Sequence, residues 1–414
     1  MPAKHTYPFT RREFLRATGA GAGLLSLSPF APAFLTASAH ANVAPPDKDQ
    51  SILVLIQLGG GNDGLNTVVP YQDDNYYNLR PKIGLKENEL LKLDDQLGLN
   101  PGCEELHRLY HEGQFSIIQN VGYPNPNRSH FRSTEIWETA SGSREYLSTG
   151  WVGRFFDNCC QGSPNDDPFA VNIGNELPDT FLSESTANVF SYFGRGSKSK
   201  KSTELILKSL ESTSFPDDSN ANFLKHTAMN ALITEERVVS RIRNYKPSVN
   251  YPQHSLGKGL QQVAAMIASG QGTRVYFVPH SGFDTHANQV QRHQNLLRQL
   301  SSSMSAFQAD LQAKKLDDQV LTMTFSEFGR RPNENRSGGT DHGTAAPLFV
   351  MGSKLKGSLH GDAPKLNVGK NKDLKYTTDF RSAYSTVIDQ WLGGNHQSVL
   401  GDTFQPLDFL ALKP

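Results

Sequence analysis

Residues 51–65 read SILVLIQLGGGNDGL, an apolar run that ends in three glycines and an aspartate. The run from Ile52 to Leu58 is continuous and does not alternate with polar residues, which is typical of a strand buried on both faces of a sheet. Gly59, Gly61 and Gly64 also have the spacing of the dinucleotide-binding fingerprint. That fold, however, needs a helix to begin at the third glycine and an acidic residue about 20 positions further on.

The segment after Gly64 does not meet those requirements. It reads LNTVVPYQDDNYYNLRP, in which β-branched residues and a proline disfavour a helix. The acidic pair Asp73 and Asp74 comes too early and follows no predicted strand. A phosphate-binding Walker loop also needs a Gly-Lys-Ser/Thr sequence, which does not follow. We therefore interpret the glycines as a turn that presents Asp63 at the end of a strand.

Similar apolar runs recur along the chain and alternate with helical patterns. The runs are Phe115 to Val121, Phe169 to Ile173, Arg274 to Val278, Val320 to Phe325 and Pro347 to Met351. Apolar residues at helical spacing lie between them, from Leu256 to Ile267 and from Val290 to Leu311. This alternation predicts an α/β fold with a doubly wound, mostly parallel sheet. The polar stretch at residues 175–251 predicts a helical insertion at one edge of that sheet.

The N-terminus has the features of an export signal. Thr10 to Arg16 read TRREFLR, a twin-arginine motif, and the small-x-small triplet Ala39-His40-Ala41 follows an apolar stretch. We expect residues 1–41 to be a signal peptide and residues 48–414 to form the exported domain. The expected partner during export is the twin-arginine translocase. The expected location is the periplasm or the medium, with no stable membrane anchor after cleavage.

Composition excludes some partners. The chain has 41 Lys and Arg against 41 Asp and Glu and no basic stripe interleaved with aromatics, so we expect no nucleic-acid partner. The three cysteines permit one ordinary disulfide, from Cys103 to Cys159 or Cys160, with buried free thiols as the alternative.

Acidic residues follow three of the predicted strands. Asp63 follows the first strand, Asp284 follows the run that ends at Val278, and Glu327 follows the run that ends at Phe325. Since parallel strands deliver their carboxyl ends to one edge of a sheet, we expect these side chains to converge there. Asp341 and His342 reach the same edge on the loop before the last run.

Oxygen and imidazole ligands suit Zn²⁺, Mn²⁺, Mg²⁺ or Ca²⁺, and one or two such ions would bind an anionic ester. The structural alternatives are that Asp284 caps a helix beginning near Ala287, and that His293 is a packed core histidine.

Several longer motifs resemble a bacterial family of twin-arginine exported proteins, the domain-of-unknown-function 1501 family, which belongs to the alkaline phosphatase and sulfatase superfamily. The resemblance covers nearly the whole mature chain. It rests on GGGNDGLNTVVPY, NRSHFRSTEIWET, GFDTHANQ, TFSEFGRR, GTDHGTAAPLFVMG and TTDFRSAYSTVIDQWLGG. It implies an alkaline phosphatase-like three-layer sandwich and a metal-dependent hydrolase. It also implies that Asp63, Asp284, His286, Glu327 and His342 are metal ligands.

Ser129 is the candidate nucleophile, because it follows a predicted strand and opens a predicted helix, whose N-terminus favours an attacking oxyanion. Ser133 and Thr134 are the other hydroxyl candidates, and a helix N-cap is the structural alternative for Ser129. Arg128, Arg132 and Arg330 are candidate ligands of a phosphate or sulfate group.

The chain also departs from the superfamily pattern. Phe328 stands where a phosphatase has a histidine, so a second ion would need Asp341 or His130. None of the cysteines begins a Cys-x-Pro-x-Arg motif, which argues against formylglycine chemistry. We therefore expect an exported metal-dependent hydrolase that acts on phosphate or related anionic esters, either small molecules or polymers. The alternative is a catalytically inactive member that serves as a periplasmic binding or assembly protein.

Overall fold

The computed structural model describes residues 51–159, 167–184, 189–192, 225, 234–369 and 372–411. The predicted signal peptide lies outside these residues, as does part of the predicted insertion. The strands are Ile52–Gly59 (β1), Val68–Val69 (β2), Leu91–Lys92 (β3), Gly98–Leu99 (β4), Phe115–Gly122 (β5), Ala170–Asn172 (β6), Val189–Ser191 (β7), Val275–Ser281 (β8), Val320–Phe325 (β9), Arg330–Glu334 (β10), Thr340–His342 (β11), Ala346–Met351 (β12), Leu359–His360 (β13) and Thr378–Asp379 (β14).

The helices have the following bounds. They are Asp74–Leu79 (α1), Glu104–His111 (α2), His130–Thr139 (α3), Trp151–Cys159 (α4), Ser255–Ala268 (α5), Gln289–Ala313 (α6), Phe380–Thr386 (α7) and His396–Leu400 (α8). A π-helical turn, Val387–Trp391, continues α7, and residues 234–244 are also helical.

The main sheet has nine strands in the order β13-β5-β12-β9-β1-β8-β6-β7, with β14 also paired to β5. Strand β12 runs antiparallel to both β5 and β9, and the other pairings in this sheet of described residues are parallel. The predicted α/β fold with a mostly parallel sheet is therefore confirmed. Two small antiparallel sheets, β10-β11 and β2-β4-β3, lie outside it.

Each face of the sheet is covered by helices. Leu53 and Leu55 of β1 pack in the core under α3, α4, α7 and α8. The intervening Val54 and Ile56 pack in the opposite core, under α2, α5, α6 and the helical residues 234–244. Because successive side chains of a strand point to opposite faces, one continuous apolar run supplies both cores. The result is a three-layer sandwich.

The structure describes part of the predicted helical insertion at residues 175–251. Within residues 175–251 the structure describes β7, which is an edge strand of the main sheet, besides the helical residues 234–244.

Cys103 is a free thiol buried in the core under α2, so it does not pair with Cys159. Burial raises the pKa of the Cys103 thiol. None of the helices in the described ranges has both the length and the apolar character that crossing a membrane requires.

Candidate metal centre

Four chain segments meet at the carboxyl edge of the main sheet. Asp284 and His286 follow β8, Glu327 follows β9, and His342 ends β11, whose partner β10 places Arg330 opposite it. His130 opens α3, which the chain enters from the end of β5. The strand order brings β8, β1 and β9 side by side, so the loops after them are neighbours.

The glycine loop after β1 lets these segments approach one another closely. Gly60 has a φ of +117° and Gly61 a φ of +84°, a region that favours glycine. A Cβ atom on Gly60 would overlap the backbone nitrogen of Asp284, and one on Gly61 would overlap the ring of Phe328. The loop therefore provides the space in which the Asp284 segment lies, which is a packing role and not that of a dinucleotide loop.

We predict that Gly60→Ala destabilises the fold by about 3 kcal/mol or more, because strain at positive φ adds to the overlap with Asp284. Gly113→Ala is the matched control, since Gly113 has a φ of +73° but open space around its Cβ position. We expect that control to cost about 1 kcal/mol. Denaturant unfolding of both variants measures the difference, and equal losses would show that the close approach of Asp284 does not matter.

Three histidines surround the carboxylate of Asp284. The Nε2 atoms of His286 and His342 each lie 3.1 Å from its Oδ1, and the Nε2 atom of His130 lies 3.7 Å from its Oδ2. The two Nε2 atoms of His286 and His342 are 2.9 Å apart. Ligand atoms of His130, Asp284 and His342 all fall within 4.8 Å of one another, a spacing that could hold one metal ion.

The other ring nitrogen of each histidine faces a hydrogen-bond acceptor. The Nδ1 partners are Oε1 of Glu327 at 2.9 Å for His130, Oδ1 of Asp341 at 3.4 Å for His286, and the carbonyl oxygen of Arg128 at 2.9 Å for His342. A neutral imidazole carries one N–H, which these acceptors assign to Nδ1. Each Nε2 atom then directs a lone pair towards Asp284.

The Nε2 lone pairs of three imidazoles therefore face one carboxylate, at 3.1 Å for His286 and His342 and at 3.7 Å for His130. Such a set of acceptors repels itself unless a cation or extra protons lie among them. Histidine nitrogens fixed through Nδ1 by carboxylate or carbonyl partners, together with one carboxylate oxygen, form a common donor set of divalent metal sites. These four residues fit a divalent ion on their chemistry.

Neighbouring groups shift the pKa values of Asp284, His130 and His342. Burial alone would raise the pKa of Asp284, but the hydrogen bond from Arg330 and the close contact with the His342 ring outweigh it and lower the pKa to about 2. The hydrogen bond to Glu327 raises the pKa of His130, whereas burial lowers that of His342. Asp284 is therefore a carboxylate over the whole neutral range.

Arg330 positions this cluster and is not available to a substrate. Its buried guanidinium donates to the carbonyl oxygens of Gly60, Gly61, Phe283 and Thr340 and, at 2.7 Å, to Oδ1 of Asp284. Its expected role as a phosphate or sulfate ligand is thus replaced by a role in fixing the glycine loop and Asp284.

Asp63 lies apart from the cluster. It is fully buried, and its Oδ2 accepts hydrogen bonds from Nη1 of Arg80 at 2.7 Å and from the side-chain amide of Gln289. Burial would raise the pKa of Asp63, but the charge and hydrogen bond of Arg80 outweigh it and lower the pKa. The side chain expected to be a metal ligand is therefore paired with an arginine, because the loop after β1 turns it towards α1 and α6.

The remaining predicted ligands occupy outer positions. Glu327 and Asp341 hold the rings of His130 and His286 and do not face Asp284 directly. The ring of Phe328 packs against those of His130 and His342, with centroids 5.0 and 4.5 Å apart. Asp284 does not cap the following helix, whose N-cap is Asn288. His293 is a buried histidine that contacts Asn62 at 2.9 Å, as its apolar helix position predicts.

Ser129 occupies the N-cap position of α3, directly before His130. It is exposed, and within the described residues its hydroxyl makes no capping hydrogen bond. The runner-up Ser133 is buried and donates to the carbonyl oxygen of Asn127, and Thr134 lies further into the helix. Ser129 is therefore the most exposed of the three candidate hydroxyls.

The candidate arginines separate into two groups. Arg132 turns away from the cluster: it pairs with Glu135 at 2.7 Å and donates to the carbonyl oxygens of Gly142, Ser143 and Glu145. Arg128 and Arg331 share one carboxylate, Asp373, at 3.3 and 3.5 Å. The carbonyl of Arg128 holds His342, so this pair of arginines lies beside the cluster.

Comparison with known proteins gives the following. No curated protein matches the chain. Among solved structures, a protein in the alkaline phosphatase superfamily from Vibrio parahaemolyticus is 9% identical with a TM-score of 0.38, and the match covers 87% of this chain and 71% of that one.

Two further structures are similar at the same level. Alkaline phosphatase from the Antarctic bacterium TAB5 is 12% identical with a TM-score of 0.31, over 75% of this chain and 95% of that one. The C-terminal periplasmic domain of EcEptC from Escherichia coli, in complex with Zn, is 10% identical with a TM-score of 0.32, over 75% and 77%. The profile of the family described as "Protein of unknown function (DUF1501)" matches residues 50–403, and the chain therefore belongs to that family.

Proposed function

We propose that this protein is a metal-dependent hydrolase of phosphate or sulfate esters, whose ion is held by His130, Asp284, His286 and His342. The observation that carries the proposal is the convergence of three Nε2 lone pairs on one carboxylate, each imidazole fixed through its Nδ1. Imidazole ligands favour Zn²⁺ or another transition ion over Mg²⁺ and Ca²⁺, which prefer oxygen. When bound, the ion supplies positive charge next to the reacting oxygens of the ester.

Ser129 is the proposed nucleophile. Its hydroxyl lies at the N-terminus of α3, a ten-residue helix, where backbone N–H groups stabilise negative charge. In this proposal Ser129 Oγ bonds to the phosphorus or sulfur while the bond to the ester oxygen breaks, and that oxygen takes a proton from solvent and leaves as the alcohol. Water then attacks the serine ester, which releases the anion and restores the Ser129 hydroxyl. The proton of Ser129 passes to solvent, to which the side chain is open.

Arg128 and Arg331 are the proposed ligands of the anionic group. With Asp373 between them they carry one net positive charge, and their contacts of 3.3 and 3.5 Å are longer than good hydrogen bonds. Within the described residues, the buried Nε of Arg331 and Oδ1 of Asp373 have no hydrogen-bond partner. Oxygen atoms of a phosphate or sulfate would match these guanidinium groups better than the single shared carboxylate does.

The second candidate function is a non-catalytic metal-binding protein of the cell envelope. It is favoured by the pairing of Asp63 with Arg80, since an ordinary two-ion centre would need that carboxylate. For both candidates we also propose export through the twin-arginine pathway, supported by the Arg11-Arg12 motif.

The test is turnover of aryl phosphate and aryl sulfate esters by the full chain loaded with Zn²⁺ or Mn²⁺. We expect turnover that Ser129→Ala lowers by at least about a thousandfold, because it removes the attacking oxygen. Ser302→Ala, which changes a half-buried serine on α6 whose hydroxyl only donates within its own helix, is the control and should keep wild-type turnover.

Two outcomes would contradict the proposal. If Ser129→Ala keeps its activity, the attacking group is another residue or water. If the chain binds its ion tightly but hydrolyses none of the esters, the non-catalytic function replaces the hydrolase.

A further inference from the structure

A second group of metal-binding atoms lies on α2, where no residue of the candidate metal centre contributes. His107 and His111 are four residues apart, so both imidazoles project from the same side of the helix. Their Nε2 atoms are 3.1 Å apart, and their rings meet edge to face with centroids 4.5 Å apart. The Nε2 atom of His107 also lies 2.8 Å from the carbonyl oxygen of Lys92 in β3.

Hydrogen bonds cannot satisfy all three of these atoms, because only one proton lies among them. The carbonyl of Lys92 only accepts, so the contact at 2.8 Å requires a proton on Nε2 of His107. That nitrogen then has no lone pair left, and Nε2 of His111 can only be a second acceptor for the same proton. A cation bound to all three atoms satisfies them together.

We propose that His107, His111 and the carbonyl oxygen of Lys92 form a second metal site, which takes Cu²⁺ or Ni²⁺. Metal–nitrogen bonds are about 2.0–2.1 Å long. At that length, donor separations of 2.8 and 3.1 Å correspond to neighbouring positions about 90° apart, whereas a tetrahedral ion needs donors farther from one another. Nitrogen and oxygen donors at right angles are typical of square or octahedral Cu²⁺ and Ni²⁺ and not of tetrahedral Zn²⁺.

The surroundings of the pair allow an ion to enter. His111 is exposed and His107 is half-buried. The nearest cations have partners of their own, since Lys92 Nζ pairs with Glu87 and Arg108 pairs with Glu112, both at 2.7 Å. The opposite side of α2 packs into the core, so the helix holds both imidazoles in place. An ion here would also tie α2 to the β2-β4-β3 sheet through Lys92.

The test is a Cu²⁺ titration of the full chain, metal-free and without a purification tag, by calorimetry and by electron paramagnetic resonance. We expect the wild type to bind one more Cu²⁺ per chain than His111→Ala or His107→Ala. The affinity of this site should fall on the order of a hundredfold, because the second imidazole acts intramolecularly. Bound Cu²⁺ should raise the melting temperature of the wild type more than that of either variant.

The matched control restores the number of histidines but not their spacing. In the double variant His111→Ala/Glu112→His the second imidazole is five residues from His107 and lies on a different side of α2. We expect this variant to bind Cu²⁺ no better than His111→Ala does. Equal Cu²⁺ stoichiometry and affinity in the wild type and both single variants would overturn the proposal. A higher affinity of this site for Zn²⁺ than for Ni²⁺ would overturn the square or octahedral assignment.

Discussion

Replacing Asp284 with asparagine should remove the tightly bound divalent ion and lower ester hydrolysis by at least about a thousandfold. The carboxylate faces the Nε2 atoms of His130, His286 and His342, and it is held in the charged form by Arg330. Asparagine has nearly the same shape but no charge, so the fold should persist while the cluster loses its negative ligand. Elemental analysis and competition with a chelator measure the metal content and affinity.

The control for this prediction is Asp341→Asn. Oδ1 of Asp341 lies 3.4 Å from Nδ1 of His286, on the side of the ring away from Asp284. The substitution should therefore lower the affinity for the ion by about 10- to 100-fold without abolishing binding. An Asp284→Asn protein that binds the ion with wild-type affinity would contradict the assignment of this cluster as a metal centre.

Arg80→Met should destabilise the folded protein by about 3–5 kcal/mol, because it leaves the carboxylate of Asp63 buried without its charged partner. Both side chains of this pair are fully buried, and Arg80 also donates to the carbonyl oxygens of Pro332 and Arg331. The double variant Asp63→Asn/Arg80→Met removes the stranded charge and should regain part of the loss. Denaturant unfolding measures all three proteins.

Arg108→Met is the matched control, since its pair with Glu112 has the same 2.7 Å separation but is exposed. We expect it to cost less than about 0.5 kcal/mol. Similar losses of stability in Arg80→Met and Arg108→Met would show that burial does not make the Asp63–Arg80 pair more costly to break than an exposed pair.

The pH dependence of the Asp63 contribution should change sign in Arg80→Met. In the wild type the pKa of Asp63 is lowered, so its stabilisation is present above the unfolded pKa and is lost as pH falls through the folded one. Without Arg80, burial raises that pKa instead, and the stability contribution is lost as pH rises.

Much of this architecture could be predicted from the sequence. Continuous β-branched runs indicated the buried strands β1, β8 and β9, since such runs fit a sheet that is covered on both faces. The rule that parallel strands share a carboxyl edge placed Asp284, Glu327 and His342 in one region, and the structure brings them together there around His130. His286, which also lies there, was expected from the family resemblance.

The direction of each side chain could not be predicted in the same way. Asp63 follows a strand at the expected edge, but Arg80 pairs with it only because α1 packs against the turn after β1. Glu327 and Asp341 have the residue type of ligands, yet each faces the Nδ1 of a histidine. His130 is expected from the sequence only as a replacement ligand for a second ion. Its position next to Ser129, at the start of a helix after β5, was the available signal.

The central position of β1 has a consequence for how the chain reaches its folded state. This strand lies close to the N-terminus of the domain, but Leu53 pairs with Val275 and Ile52 with Val320, more than two hundred residues later. Contacts so distant along the chain make folding slow, and a ribosome adds about 5–20 residues per second. We therefore expect the backbone of β1 to stay unpaired and its apolar side chains to stay exposed throughout most of synthesis. This exposure makes the nascent chain a substrate for chaperones.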